Sequence, residues 1–253
     1  MVGVSLFGVQ RFGIWANKMK EQLRCSIVIP SYNEVEILRR TLSQVIENVH
    51  VDYECLVVVD SEDDLSCDVT RKFHNEHKNI SLLLNNVAKG PAGAMKTGIQ
   101  SSSGEVVVIF SADGSDDATQ IDDLVKLVER GVAIASASRY MHGGRLVNSP
   151  LLKGLFSRTA GLSLHYLKRI GTRDSTNNFK AYSRFFLNQV TVQSEFGFEV
   201  GLELTMKASR LGLPIAEIPT IWIERSVGKS NFRLWASLPR YLRWYLYGLG
   251  AKR

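Results

Sequence analysis

The chain has 253 residues, of which 45% are hydrophobic and 22% charged, and carries a formal charge of +6. These proportions exclude a disordered or low-complexity chain and fit an ordinary packed globule, a length that α/β folds organise around one sheet. The positive excess suits a polyanionic small substrate, an anionic membrane surface or nucleic acid, and by itself chooses none of them.

The N-terminal apolar stretch over residues 2–9 is short and precedes Arg11, Lys18 and Lys20, the reverse of signal-peptide order. No run reaches the roughly 18 uncharged residues that span a bilayer, so any membrane contact is expected to be peripheral. Cys25–Pro30 (CSIVIP) then reads as a buried strand, and residues 35–49 carry apolar side chains at helical spacing, with Asn33 as a candidate cap. A strand over 53–60, a weaker helix over 65–77 and a strand over 80–84 complete a βαβαβ pattern, which implies parallel strands with right-handed crossovers. The apolar run EVVVIF (105–110) is a further strand covered on both faces, followed by a helix over 118–130 and a strand over 132–138. Beyond these, the pattern predicts a helix over 151–169, a short strand over 178–182, a helix over 198–211 and a strand over 215–223. Cys25, Cys55 and Cys67 have no metal-site spacing and read as reduced, mostly buried thiols.

Parallel sheets place ligands beyond the carboxyl ends of their strands. Four strand ends deliver polar clusters there: Tyr32-Asn33-Glu34, Asp60 to Asp64, Ser111 to Asp117, and Arg139. Each cluster can equally serve as a turn or helix cap.

The ordered segments SIVIPSYNE, VVVDSEDD, KGPAGAMKTGIQSSSGEVVVIFSADG, ASRY, DSTNNFKAYSR, GFEVGLELTMKA and ERSVGKSN resemble the inverting glycosyltransferase family two with its GT-A fold. Within it the likeness is greatest to the dolichyl-phosphate mannosyltransferases and related polyprenyl-phosphate glycosyltransferases, over residues 25 to 232. The resemblance implies a Rossmann-like, mostly parallel sheet in a catalytic domain over 25–231, which leaves an N-terminal extension over 1–24 and a C-terminal segment over 232–253 that its own spacing gives as an amphipathic interfacial helix. It implies a nucleotide-sugar donor, a polyprenyl-phosphate acceptor and Mg²⁺ or Mn²⁺ as cofactor.

By the same resemblance Pro30, Tyr32, Glu34 and Asp60 line the nucleoside pocket, where carboxylates accept hydrogen bonds from base or ribose. Asp113 is the last carboxylate of the family's DXD-type metal motif and Ser115 a further metal-contacting position; Ser111 replaces the first carboxylate. Asp116 and Asp117 either assist the metal through water or cap the following helix, and capping is the expectation. Arg139, Lys153, Arg158, Arg225 and Lys229 fall at or near phosphate-contacting positions, and a diphosphate needs several cations. Lys229 directly follows Gly228, an altered order for the family. The catalytic set expected is Asp113, Arg225, Glu203 and Asp174, with Glu199, Glu203 or Asp174 available as a general base if the acceptor is a sugar hydroxyl. Gly90, Gly93 and Gly98 either let backbone approach a ligand or permit close helix packing.

The C-terminal segment places Leu234, Leu238, Tyr241, Leu242, Tyr245, Leu246 and Leu249 at helical spacing among Trp and Arg residues, broken or begun at Pro239. An interfacial helix at the cytoplasmic face of a membrane is the expectation; packing on the core, on a second copy or on a membrane protein competes with it. Transfer to a glycan hydroxyl, and a catalytically weakened nucleotide-sugar binding protein, are the alternative functions. Nucleic-acid binding would rest on charge alone and is not expected.

Overall fold

A computed structural model of the protein describes residues 23–224 and 234–251. Nearly all of the expected N-terminal extension, together with Arg225 and Lys229, lies outside the described residues.

Seven short strands rich in β-branched residues build the central sheet: Cys25–Pro30 (β1), Tyr53–Val59 (β2), Ile80–Leu84 (β3), Val106–Ile109 (β4), Ile134–Ser138 (β5), Lys180–Ser183 (β7) and Ile215–Pro219 (β8). Their order is β3-β2-β1-β4-β7-β5-β8. Every pairing is parallel except those of β7, which runs antiparallel between β4 and β5. Arg145–Val147 (β6) and Ile221–Ile223 (β9) pair in a separate parallel ribbon. The strand expected over 215–223 thus divides after Pro219, and its second part leaves the main sheet at Thr220.

The helices are Glu36–Asn48 (α1), Ser66–Glu76 (α2), Pro91–Ser101 (α3), Ile121–Glu129 (α4), Leu151–Lys168 (α5), Arg184–Leu187 (α6), Val200–Arg210 (α7) and Leu234–Leu249 (α8). Alternation along the strands sends side chains to two separate cores. Ile27, Ile29, Val57 and Val108 meet Leu38 and Leu42 of α1, Val69 of α2 and Leu124 of α4 on one face. Val28, Val58, Val107 and Ile109 meet Ala94, Met95 and Ile99 of α3 and Leu204 of α7 on the other. The α/β class with a mostly parallel sheet between helical layers is therefore as expected.

Helix α3 lies in the glycine stretch for which the sequence offers either approach of backbone to a ligand or close helix packing. Pro91 opens it with a fixed φ, after Gly90 at φ 103°. A Cβ on Gly98 would lie 2.2 Å from Val28 Cγ1, so the glycine is what lets α3 sit on β1. Close packing, rather than approach to a ligand, accounts for this position.

Asn33 does not cap α1. Its own φ is 53°, and its Oδ1 accepts a hydrogen bond from Leu65 N at 3.2 Å, tying the turn after β1 to the turn after β2. Asp64 closes the same link by accepting from Asn33 N at 3.0 Å and Ser66 N at 2.8 Å.

Helix α8 runs unbroken through Pro239. Its Trp244 is buried with Leu202 and Met206 of α7 and Leu164 of α5, and donates Nε1–H to Ser194 Oγ at 3.1 Å. Tyr245 and Ser163 hydroxyls meet at 2.9 Å, joining α8 to α5. One face of the C-terminal helix is thus packed on the domain, while Trp235, Leu242 and Leu246 on it are exposed.

Candidate active site

A cavity of about 690 Å³ opens beyond the carboxyl ends of β1, β2, β4 and β5. Pro30, Tyr32, Glu34 and Asp60 line one end of it, together with Gly90. Asp60 is fixed by its neighbours: Oδ1 accepts from Asn85 Nδ2 at 2.6 Å and Oδ2 from Gly90 N at 2.8 Å. Glu34 is placed by the turn network, its backbone N donating to Ser66 Oγ at 3.1 Å.

The middle of the cavity is carboxylate-rich. Asp113 Oδ1 accepts from Ser111 Oγ at 2.6 Å and from Ser115 N at 3.1 Å. Asp117 caps the following 3₁₀ turn by accepting from Thr119 N at 3.0 Å, as expected. Asp116 does not cap: its Oδ2 accepts from Ser111 N at 3.2 Å and the residue lines the cavity. Burial, with the Asp113 charge beside it, pushes the Asp116 carboxyl up to about 7.

Arg139, at the end of β5, lines the same cavity as these acids. Its Nε donates to Asp174 Oδ2 at 2.6 Å and its Nη2 to Asp174 Oδ1 at 2.8 Å, a bidentate pair. Thr176 Oγ1 takes a third bond from Nη2 at 3.2 Å. Burial opposes the guanidinium charge, but Asp174 outweighs it and raises the Arg139 pKa further above its ordinary value. Burial likewise works against the Asp174 charge, and Arg139 reverses the balance to hold its carboxyl below the usual range. Beneath this pair, Lys180 is fully buried, donates to the carbonyls of Ser175 and Asn177, and is pushed down to about 7 by burial.

At the far end Lys153 lines the cavity, 3.4 Å from Glu224 Oε2 and 5.0 Å from the Trp222 ring centroid. The cavity then continues into a groove between α5 and α8, walled by Phe156, Ala160, Leu238, Tyr241 and Leu242.

Sequence reasoning therefore brought together Pro30, Tyr32, Glu34, Asp60, Asp113, Ser115, Arg139 and Lys153 in one cavity. Arg158 is exposed on α5 and is not part of the lining. Asp174 and Glu203 stand behind the wall rather than in it. Glu203 is fully buried, accepts the backbone N–H groups of Gln193 and Ser194 at 2.7 Å each, and pairs with Lys207. Glu199 is also buried outside the lining. None of the three is part of the cavity lining.

Trp222, Asn177 and the α5 wall were missed as cavity residues. The ribbon β6–β9 that carries Trp222 is too short to show a period, and α5 reads from its pattern as an ordinary helix.

The model of the family described as glycosyl transferase family 2 matches residues 26–191. The undecaprenyl-phosphate mannosyltransferase of Micrococcus luteus is 29% identical over 216 residues, 83% of this chain and 87% of that protein. The polyprenol monophosphomannose synthase of Mycolicibacterium smegmatis is 27% identical over 82% of this chain and 80% of its own length. The dolichol-phosphate mannosyltransferase of Pyrococcus furiosus is 26% identical over 83% of this chain, which spans 60% of that longer protein. Among solved structures, glucosyl-3-phosphoglycerate synthase from Mycobacterium tuberculosis, bound to Mn²⁺, UDP-glucose and phosphoglyceric acid, superposes with a TM-score of 0.68 at 18% identity, covering 100% of this chain and 86% of that one. That likeness carries the GT-A fold. The family match covers well over half of the chain, including every strand from β1 to β7, and so the chain belongs to glycosyl transferase family 2, a family of sugar-transferring enzymes.

Proposed function

We propose that the chain is an inverting glycosyltransferase that moves a hexose-type sugar from a nucleoside diphosphate sugar to a polyprenyl phosphate, working as a peripheral protein at the cytoplasmic face of a membrane. The observation that carries this reading is the continuity of one cavity from the acidic and aromatic end at Pro30, Tyr32, Glu34 and Asp60 to the apolar groove between α5 and α8. Such a cavity suits a polar donor at one end and a lipid acceptor at the other. The names of the three mannosyltransferase relatives, each acting on a polyprenyl-type lipid phosphate, support the same pairing.

Pro30, Tyr32, Glu34 and Asp60 take the nucleoside. The Asp113 carboxylate and Ser115 fit a divalent cation, Mg²⁺ or Mn²⁺, since a charged oxygen ligand already stands on the cavity wall among few competing cations. When bound, that cation neutralises charge on the diphosphate as it leaves. Arg139, held rigid by Asp174, and Lys153 supply positive charge in the same cavity, with Arg225 and Lys229 as further proposed phosphate contacts. Preorganised charge of this kind acts without reorganisation at the moment of transfer.

An acceptor phosphate oxygen attacks the anomeric carbon on the face opposite the departing diphosphate, which inverts the configuration. A phosphate monoester is already ionised near neutrality, so no strong base is required. The commitment of Asp174 and Glu203 to internal partners favours this acceptor over a sugar hydroxyl. No helix among the described residues is long and apolar enough to cross a membrane. Instead Leu151, Leu152 and Leu155 at the start of α5, with Leu151 90% exposed, and Trp235 of α8, 70% exposed, present apolar surface at the groove's outer rim. Trp235 packs edge-on against Phe156 of the groove wall. Side chains of this type enter the headgroup zone.

The test is release of nucleoside diphosphate from a panel of nucleotide sugars with Mg²⁺ or Mn²⁺, with and without a short-chain polyprenyl phosphate. Release from one donor that depends on the lipid phosphate is expected. Release that responds to glycan acceptors and not to lipid phosphate sinks the acceptor assignment.

A further inference from the structure

Ser111 stands where the metal motif has a carboxylate, which leaves Asp113 as the sole acid of that motif. The cavity nevertheless holds a second acid at this spot. Asp116 is 8% exposed and lines the cavity, and its Oδ1, itself shielded from solvent, has no hydrogen-bond partner among the described residues. A buried, half-satisfied carboxylate is costly, and an ion that completes it is one physical reason for a native structure to keep it.

The backbone explains how Asp116 comes to this place. Ser111 is held from both sides: its hydroxyl donates to Asp113 Oδ1 at 2.6 Å and its N–H to Asp116 Oδ2 at 3.2 Å. The turn over 111–116 therefore folds both carboxylates around the residue that lacks one. Gly114 at φ 70° permits the reversal. Asp117 has already taken the capping role, so Asp116 is not needed as a cap.

We infer that Asp116 supplies the second carboxylate ligand of the divalent-cation site, in place of the acid that Ser111 lacks. The inference rests on the proposed donor chemistry, in which Asp113 would hold a divalent cation that neutralises the diphosphate. It goes beyond that chemistry in assigning a ligand outside the usual motif. Among the described residues no group of three or more His, Cys, Asp or Glu side chains could hold a metal unaided. A two-carboxylate site completed by diphosphate oxygens follows, and the cation binds tightly only with the nucleotide.

The experiment measures Mn²⁺ binding to the full-length protein by the loss of the free-ion electron paramagnetic resonance signal, with UDP and separately with GDP. Asp116→Asn retains an acceptor for Ser111 N–H and removes the charge. It is expected to weaken nucleotide-dependent Mn²⁺ binding by about tenfold or more. Ser111→Asp added to Asp116→Asn is expected to restore it by returning an acid to the motif, which separates lost ligation from lost folding. If Asp116→Asn binds Mn²⁺ as the parent does while Asp113→Asn loses it, Asp116 is no ligand and the donor reading stands. If the parent protein binds no Mn²⁺ with either nucleotide, the cation reading and this inference fall together.

Discussion

Asp174 grips the guanidinium of Arg139 by two parallel hydrogen bonds, 2.6 Å at Nε and 2.8 Å at Nη2, and takes the Arg139 backbone N–H at 3.0 Å as well. The pair fixes a positive charge at the end of β5, in the cavity that Asp113 and Asp116 also line. Asp174→Asn should destabilise the protein by about 3–5 kcal/mol, because it leaves a buried guanidinium without its counter-charge. Urea denaturation at neutral pH measures this.

The same pair has a defined pH response. Arg139 holds the folded Asp174 pKa below its ordinary value of about 3.9. Its stabilisation is therefore complete above that ordinary value and is lost as pH falls through the lower, folded one. An acid series of denaturation curves should show this acid-side loss in the parent protein and a smaller one in Asp174→Asn.

Arg139→Lys keeps the charge but not the fork. A lysine cannot reproduce two parallel bonds to Asp174 while presenting charge to a diphosphate. The variant should raise KM for the nucleotide sugar and lower kcat together, by about tenfold or more in kcat/KM. Steady-state kinetics with varied donor give the result; unchanged constants would remove Arg139 from the phosphate site.

Glu203 offers a direct separation of structural and catalytic roles. Its carboxylate bonds two backbone amides and pairs with Lys207, whose ammonium lies 5.1 Å from the Trp244 ring centroid. Glu203→Gln should cost about 3–5 kcal/mol of stability and leave the pH–rate profile of the folded fraction unchanged. Disappearance of a limb of that profile would restore the general-base role.

Gly98 sets how closely α3 lies on β1. Gly98→Ala drives a methyl against Val28 and should cost about 1–3 kcal/mol, read as a lower urea midpoint. The loss should appear without a change in donor KM, since Gly98 is not in the cavity lining.

The parts of this arrangement that were legible in sequence share a physical cause. Strands such as Val106–Ile109 are buried on both faces and read as continuous apolar runs, and the polar residues that follow them mark the cavity. The bounds of helix α3 were not legible, and helix packing stood only as one of two readings of its glycines, because Gly93 and Gly98 lower helix propensity at the positions where contact with Ala88 and Val28 demands them. The antiparallel course of β7 left no trace either, since a four-residue strand carries no sign of direction. Within the site, residue type indicated which side chains could carry charge, but only contacts reveal where that charge is spent. Arg139 and Asp174 both belong to matched segments, yet one lines the cavity and the other stands behind it. Asp116 and Asp117 are adjacent acids, and the turn at Gly114 sends one to the cavity and the other to a cap.

The most direct test of the central claim is the product itself. The account predicts that the full-length protein, given its nucleotide sugar, a divalent cation and a polyprenyl phosphate, yields a glycosyl phosphate lipid whose anomeric configuration, read by nuclear magnetic resonance, is opposite to that of the donor. A lipid product of retained configuration, or a sugar found only on hydroxyl acceptors, would contradict it.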